Sequence, residues 1–246
     1  MLKKAIVVGA SSGIGEALAR RMARAGYRVA LVARRGDRLQ ELANALNVDG
    51  DPRCVTFVHD VRDVADARRC FDEAVTALGG LDVLVYAAGI MPSVELDSFD
   101  IRVDADILAV NTVGAMAWLN LGAERFLAQR RGTLVGIGSV AGDRGRIGNP
   151  GYCASKAALH TFMESLRNRL SRHGVSVVTI KPGPVRTAMT EGRDKLPLLI
   201  DADVAAASIL RASERGTSTA YVPFAWMPIM AVIRHIPSLI FRRTNV

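Results

Sequence analysis

Apolar stretches of strand length alternate along this chain with longer segments in which apolar residues recur at helical spacing. The strand-like stretches lie near residues 4–8, 28–33, 54–58, 82–86, 133–138, 175–180 and 219–222. Helices are predicted between them, over residues 13–25, 36–46, 63–78, 103–129, 151–172 and 201–213. Alternation of this kind predicts βαβ units and a parallel sheet. Because crossovers between parallel strands are right-handed, the pattern favours an α/β doubly wound sheet with helices on both faces.

No linker or internal repeat interrupts this alternation, so we predict one domain over residues 1–246. A chain of 246 residues is long enough to bury a single sizeable core. Half of the residues are hydrophobic but only 5% are aromatic, which predicts an aliphatic core. Buried parallel strands have this composition.

The formal net charge of +8 favours an anionic partner: a small ligand, a nucleic acid or a membrane surface. No basic run interleaved with aromatic residues is present, so we expect no nucleic-acid binding.

Cys54, Cys70 and Cys153 show no C-x-x-C spacing and are predicted to be reduced thiols of a cytoplasmic protein. The scattered histidines predict no metal site. The N-terminus runs directly into the first strand without the pattern of a secretory signal.

A glycine-rich turn with the spacing G-x3-G-x-G connects the first strand to the first helix. Such a turn brings backbone N–H groups and a helix N-terminus against a pyrophosphate, and glycine permits the close approach. The residues predicted to bind a dinucleotide here are Gly9, Ser11, Ser12, Gly13, Ile14 and Gly15. Taken by itself, the turn is also compatible with a purely structural loop.

The end of the second strand predicts which dinucleotide binds. Arg34 and Arg35 stand where a carboxylate would accept hydrogen bonds from the ribose and repel a 2′-phosphate. Since the planar guanidinium suits a phosphate, we predict that NADP(H) is preferred, with NAD(H) as the second choice. The alternative is that these arginines only begin a solvated helix. Asp60 and Val61, after the third strand, are predicted to bracket the adenine, and Asp60 is also a candidate helix N-cap.

Tyr152 and Lys156 are spaced four residues apart, so on a helix they share one face. An ammonium near a phenol lowers the tyrosine pKa from its ordinary value of about 10, which would allow proton transfer near neutral pH. Upstream, the Ser139 hydroxyl is a candidate for holding a substrate oxygen. By itself the pair is equally typical of an amphipathic helix with a surface lysine.

In combination, these motifs make the chain resemble the short-chain dehydrogenase/reductase family over nearly its whole length. The matching pieces, in the family's order, are the turn from Gly9 to Gly15, Asp60-Val61, Ala88-Gly89, Asn111, Ser139, Tyr152-x3-Lys156, Pro182-Gly183 and Thr187. The resemblance implies a Rossmann-like sheet of about seven parallel strands in the order 3-2-1-4-5-6-7. It also implies hydride transfer between a nicotinamide cofactor and a carbonyl or alcohol, and a homodimer or homotetramer.

The resemblance assigns a role to each residue of the predicted catalytic group. Tyr152 would be the general acid/base, and Lys156 would bind the nicotinamide ribose and lower the tyrosine pKa. Ser139 would hold the substrate oxygen, and Asn111 would anchor a water relay to the lysine. Further cofactor contacts are implied for Ala88, Gly89, Pro182, Gly183, Val185 and Thr187.

The chain departs from the family pattern at two places. Val8 replaces a threonine, and the family's Asn-Asn-Ala-Gly is Tyr86-Ala87-Ala88-Gly89 here. Both departures are expected to change local packing and detail on the adenosine side rather than the catalytic group. We predict that Tyr86 belongs to the core.

The substrate is indicated only by the segments expected to border its pocket. Arg144 and Arg146, in the loop before Tyr152, either are solvated or attract an anionic substrate. Residues 184–200 are predicted to form a lid. Its apolar tail either forms an apolar pocket wall or leads into the helix that begins near Asp201. The hydrophobic C-terminal segment, about residues 221–241, is too interrupted by prolines and basic residues for a membrane span. It would pack on the pocket or another subunit, or lie at a membrane surface as a peripheral contact.

Three functions are compatible with these features. The leading one is an NADP(H)-dependent carbonyl reductase or alcohol dehydrogenase acting on a small, lipophilic molecule. The second is the same chemistry on a ketone lipid at a membrane surface. The third, a non-catalytic NADP(H)-binding sensor, is disfavoured because it would have no use for an intact Ser139, Asn111, Tyr152 and Lys156.

Overall fold

The computed structural model describes residues 2–47, 52–192 and 195–244 and contains a seven-stranded parallel sheet within them. Its strands are β1 (Lys4–Val8), β2 (Arg28–Ala33), β3 (Cys54–Val58), β4 (Val83–Tyr86), β5 (Gly132–Ile137), β6 (Val175–Pro182) and β9 (Thr219–Val222). They are ordered β3-β2-β1-β4-β5-β6-β9, which confirms the predicted order, with β9 as the seventh strand. A second small sheet pairs β7 (Val185–Arg186) with β8 (Ile200–Asp201) inside the predicted lid region.

Helices cover both faces of the main sheet. They are α1 (Gly13–Arg24), α2 (Gly36–Leu46), α3 (Ala67–Leu78), α4 (Ile101–Leu108), α5 (Gly114–Gln129), α6 (Pro150–Leu170), α7 (Ala202–Arg215), α8 (Trp226–His235) and α9 (Ser238–Phe241). The helix expected from residue 63 begins at Ala67 because turns occupy the preceding residues. The C-terminal segment, for which no helix was predicted, forms α8 and α9.

The core lies on both sides of the sheet, which explains why its strands have continuous apolar sequences. In β1, Ala5 and Val7 pack against one cluster while Ile6 and Val8 pack against the other, and all four are fully buried. A strand that is covered on both faces has few positions for polar side chains. The sheet is therefore aliphatic, as the composition predicts.

The single helix expected over residues 103–129 is interrupted by a π-helical turn, Ala109–Val113, which separates α4 from α5. The fully buried Tyr86 donates from its hydroxyl to the Val110 carbonyl oxygen at 2.6 Å. At Gly114, a Cβ would lie only 2.7 Å from the Val61 carbonyl oxygen. These two contacts fix the turn. They also show that Tyr86 is a core residue, as predicted, with a hydrogen bond to the backbone.

Because all seven strands are parallel, their carboxyl ends meet along one edge of the sheet. The segments that follow β1, β3, β4, β5 and β6 carry nearly all of the predicted site residues. The topology thus assembles at one edge residues that lie far apart in the sequence.

Candidate active site

The glycine-rich turn after β1 has the backbone conformation that requires glycine. Gly9 and Gly13 have φ angles of 89° and 57°, and a Cβ on Gly9 would lie 2.5 Å from the Ala88 nitrogen. A Cβ on Gly13 would lie 3.1 Å from the Thr187 methyl group, so the turn is packed against two other predicted cofactor contacts. The N-cap residue Ser12 makes no side-chain hydrogen bond to the first turn of α1. The glycine-rich turn therefore leaves backbone N–H groups at the start of α1 without a side-chain acceptor. A pyrophosphate could accept hydrogen bonds from these groups.

The two predicted phosphate-binding arginines have different partners. Arg35 donates from Nη2 to the hydroxyls of Ser11 at 3.0 Å and Ser12 at 2.7 Å, so its guanidinium lies against the glycine-rich turn. Arg34 lies 3.7 Å from a carboxylate oxygen of Asp60, which also pairs with Arg62 at 2.7 Å. Two arginines therefore follow β2, and one of them, Arg34, lies beside the Asp60 carboxylate that follows β3.

Asp60 is held by Arg62 rather than by the following helix. It accepts hydrogen bonds from both the backbone and the guanidinium of Arg62, and these bonds lower the pKa of the Asp60 carboxyl. The interpretation of Asp60 as the N-cap of the next helix is wrong, because α3 begins after Asp66. Its predicted contact with adenine stays a prediction.

Helix α6 brings Tyr152 and Lys156 together. Asn149 caps the helix by accepting a hydrogen bond from the Tyr152 N–H at 2.9 Å, and Pro150 occupies the first helical position. The Lys156 Nζ lies 5.7 Å from the centre of the Tyr152 ring and donates to the Ile137 carbonyl oxygen at 3.0 Å. Both side chains are buried, so the interpretation as an amphipathic helix with a surface lysine is wrong.

Asn111 projects from the π-helical turn into the same region. Its amide accepts from the Ile90 N–H and donates to the Ile90 carbonyl oxygen, and it also donates to the Ser155 hydroxyl. A Cβ placed on Gly89 would lie 3.3 Å from Asn111 Oδ1 and 3.5 Å from Lys156 Nζ. The two groups therefore face the same small space, although the water relay between them stays a prediction.

The structure contradicts the expected lowering of the tyrosine pKa by Lys156, because the pKa of Tyr152 is raised. Burial raises the pKa of the Tyr152 phenol, and this effect outweighs the lowering by the Ser139 hydroxyl. Burial also lowers the pKa of Lys156 to about 8. Since burial raises the pKa of Tyr152 above the ordinary value of about 10, the phenol is neutral at neutral pH. A neutral phenol can donate a proton.

A cavity of about 770 Å³ opens beside this group, a size typical of small-molecule sites. The predicted residues that line it are Ile14, Gly89, Ser139, Tyr152, Lys156, Pro182, Gly183, Val185 and Thr187. The predicted residues outside its lining are Gly9, Ser11, Ser12, Gly13, Gly15, Arg34, Arg35, Asp60, Val61, Ala88 and Asn111. Most of the second set lies along the edge towards β2 and β3, while Asn111 is completely buried behind the wall.

Comparison with known proteins agrees with this geometry. Residues 3–196 match the short chain dehydrogenase family. An uncharacterized oxidoreductase of Mycobacterium tuberculosis is 31% identical over 244 residues, which cover 98% of this chain and 96% of the relative. Another, from Myxococcus xanthus, is 37% identical over 229 residues, covering 91% and 88% of the two chains. A solved short chain dehydrogenase/reductase family protein has a TM-score of 0.79 at 25% identity, covering 91% of this chain and 97% of that one.

The chain belongs to the short-chain dehydrogenase/reductase family. It is therefore an oxidoreductase with the Rossmann-like fold of that family, which uses NAD(P)(H). Carbonyl compounds or alcohols of low molecular weight are the substrate class that the family indicates. Within the described residues, no group of three His, Cys, Asp or Glu side chains could hold a metal ion.

This short-chain dehydrogenase/reductase also has a buried polar network that the sequence analysis missed. Asp143, almost inaccessible to solvent, accepts hydrogen bonds from Lys181 at 2.5 Å and Tyr221 at 2.6 Å. His160 Nδ1 lies 3.4 Å from the same carboxylate, and His160 Nε2 accepts from the Ser139 N–H at 3.4 Å. These partners lower the pKa of Asp143 despite its burial. One signal was available: His160 follows Lys156 by four residues and so shares its helix face.

The C-terminal segment lies behind the pocket wall. Trp226 and Met230 of α8 pack against Val140, which itself lines the cavity. The Trp226 indole is so close to Gly183 that any Cβ there would collide with it. No described helix is long and apolar enough to cross a membrane.

Replacing Asp143 is expected to destabilise the fold. In Asp143→Asn the buried Lys181 loses its counter-charge, and we expect a loss of about 3 kcal/mol in the free energy of unfolding, measured with urea near neutral pH. Because the folded state lowers the Asp143 pKa, this contribution is complete above about pH 4 and is lost as the pH falls further. The difference between the wild type and the variant should therefore shrink in acid.

The control is Asp203→Asn, which removes an exposed carboxylate paired with Arg21. Exposed ion pairs contribute little, so its stability should stay close to that of the wild type. Equal losses in the two variants, or a difference at Asp143 that does not change in acid, would contradict this prediction.

Proposed function

We propose that this enzyme reduces a carbonyl to an alcohol with NADP(H), and that Tyr152 donates the proton. The observation that supports this proposal is a buried, neutral phenol on the cavity wall, beside Ser139 and Lys156. When bound, the nicotinamide supplies a hydride for the carbonyl carbon. Tyr152 protonates the carbonyl oxygen, and the Ser139 hydroxyl holds that oxygen in place. The resulting phenolate is neutralised by a proton from solvent.

Lys156 and Asn111 hold this arrangement. Lys156 would bind the nicotinamide ribose, since it faces the cavity and its pKa of about 8 leaves it mostly protonated at neutral pH. Asn111 ties the segment after β4 to α6 through Ile90 and Ser155. The raised pKa of Tyr152 keeps the phenol protonated at neutral pH, which is the state that a general acid needs before it donates its proton.

The cationic end of β2 supports NADP(H) over NAD(H). Arg35 lies against the hydroxyls of the glycine-rich turn, and Arg34 lies beside it after the same strand. A 2′-phosphate would take the place of those weaker hydroxyl acceptors and form charge-assisted hydrogen bonds with the guanidinium.

The cavity wall supports a lipophilic substrate. Besides the catalytic group, the wall contains a set of apolar side chains: Met91, Val94, Val140, Ile147, Met189 and Leu196. A hydrocarbon part of the substrate would be stabilised there by burial of apolar surface. The lid over residues 184–200, a homo-oligomeric assembly and a cytoplasmic location stay predictions.

The variant Tyr152→Phe tests whether Tyr152 is the proton donor. We expect kcat for an apolar ketone to fall by about a thousandfold, because the proton donor is lost. NADPH binding, followed by its fluorescence, should not change. The control is Tyr27→Phe, which removes a phenol at the amino end of the sheet and should leave turnover intact. Comparable turnover by Tyr152→Phe and the wild type would exclude Tyr152 as the acid.

Arg35→Ala tests the cofactor preference. Loss of the charge-assisted bonds should raise the Kd of NADPH by about 10- to 100-fold and leave the Kd of NADH unchanged. Arg38→Ala is the matched control, because Arg38 lies one turn further on and pairs with Glu41 on the surface. If the wild type binds NADH more tightly than NADPH, the proposed preference is wrong.

The outer face of α8 favours a second candidate, the same reaction on a ketone lipid at an anionic membrane surface. Met227 and Val232 of this helix are 48% and 67% exposed, whereas Trp226 and Met230 are buried. After Glu214 the sequence has no acidic residue, but it has Arg234, Arg242 and Arg243 near this face. An apolar helix face bordered by arginines has the chemistry of an interfacial anchor on anionic lipid.

Vesicle sedimentation tests this candidate. The wild type should sediment with phosphatidylglycerol vesicles at low salt and less at high salt, while the double variant Met227→Gln/Val232→Gln should stay in the supernatant. Val64→Gln/Val204→Gln, which removes two exposed valines elsewhere, should sediment like the wild type. Absence of sedimentation by the wild type, or equal sedimentation with phosphatidylcholine, would exclude an anionic membrane as the partner. Sedimentation of the Met227→Gln/Val232→Gln variant like the wild type would exclude the α8 face as the anchor.

A further inference from the structure

The structure separates two arginines that the sequence could not distinguish. Arg144 and Arg146 lie two residues apart in the loop between Ser139 and Tyr152. Arg144 turns away from the cavity: its Nη1 donates to the carbonyl oxygens of Ile233, Arg234 and Ile236 at the end of α8. Its guanidinium also lies 4.0 Å from the centre of the Phe241 ring. The charge of Arg144 is therefore used to bind the C-terminal carbonyls of a helix.

Arg146, in contrast, lines the cavity that contains Tyr152 and has almost no partner of its own. Its one hydrogen bond runs from Nη2 to the Met230 sulfur at 3.6 Å, and a thioether is a weak acceptor. Its Nε is buried without a hydrogen-bond partner. Across residues 2–47, 52–192 and 195–244, no carboxylate forms an ion pair with it. Glu95, the acid in the cavity wall, is exposed and makes no such pair.

Within the described residues, the guanidinium of Arg146 carries a positive charge that no carboxylate compensates, and an anionic ligand in the cavity would compensate it. The planar fork of an arginine matches the two oxygens of a carboxylate. Apolar side chains such as Ile147 and Met189 line the same cavity and could contact a hydrocarbon chain. The positive charge of Arg146 also acts on Tyr152, whose pKa it lowers in opposition to burial. Because Arg146 and Tyr152 line the same cavity, one small molecule that occupies it could contact both residues.

We propose that Arg146 binds a carboxylate of the substrate, and that this enzyme acts on oxo acids with a hydrocarbon chain. The ketone of such a molecule would lie at Tyr152 and Ser139, and its carboxylate at Arg146. The proposal rests on the carbonyl reduction proposed above and specifies its substrate class.

The first test compares acids with their neutral esters. Wild type and Arg146→Met are assayed with NADPH on 4-, 5- and 6-oxodecanoate and on the methyl esters of these acids. We expect kcat/KM for the best acid to fall by about 30-fold or more in the variant, while kcat/KM for its ester is unchanged. Arg146→Lys should recover part of the loss, because it keeps the charge without the fork. Arg169→Met, which removes an exposed arginine from the same helix as Tyr152, controls for net charge.

The second test needs no turnover. Binding of decanoate and of 1-decanol is measured by calorimetry in wild type and Arg146→Met. The variant should lose about tenfold or more in affinity for decanoate and none for decanol. Equal losses for both ligands, or equal losses for acid and ester in the kinetic test, would overturn the role of Arg146. If acids and esters are both unreactive but decanoate binding depends on Arg146, the proposed reduction fails and the anion site stands.

Discussion

The site depends on how closely the chain segments approach one another at the carboxyl edge of the sheet. Gly9 approaches the backbone at Ala88, and Gly183 approaches the Trp226 indole, at distances that leave no space for a Cβ. Parallel strands about 5 Å apart all end at this edge, so the connecting loops are crowded together. Glycine has no side chain and therefore allows these segments to approach closely. The space that remains is the cradle for a dinucleotide and the adjoining cavity.

Two buried lysines at this edge have different surroundings. Lys181 is neutralised directly by Asp143, so its charge is compensated inside the protein. Among the described residues, Lys156 forms a hydrogen bond only with the Ile137 carbonyl, and burial lowers its pKa to about 8. The first arrangement supports the loop that carries Ser139, through His160. The second leaves a cation in the cavity wall that can still bind a ligand. Lys181 therefore stabilises the fold, whereas Lys156 is available to bind a ligand.

Much of the fold could be predicted from the sequence, because the order of strands follows from alternating apolar periods and a family resemblance. The sequence also predicted that Tyr152 and Lys156 lie close together, because residues four positions apart share one face of a helix. The π-helical turn was not, because it depends on a hydrogen bond between Tyr86 and Val110, which are far apart in the sequence. The direction of the Tyr152 pKa was also missed. Spacing reveals a neighbouring charge, but it does not reveal how completely a side chain is removed from water.

The loop after Ser139 forms a wall that is only one side chain thick. Val140 contacts the cavity on one side and the side chains of Trp226 and Met230 on the other. A change of volume at position 230 would therefore move the wall without altering any residue that touches a substrate. In a lineage of related enzymes, the C-terminal helix can thus diversify the shape of the pocket while the catalytic residues stay constant. The shape of this pocket therefore depends on residues behind the wall as well as on those that line it.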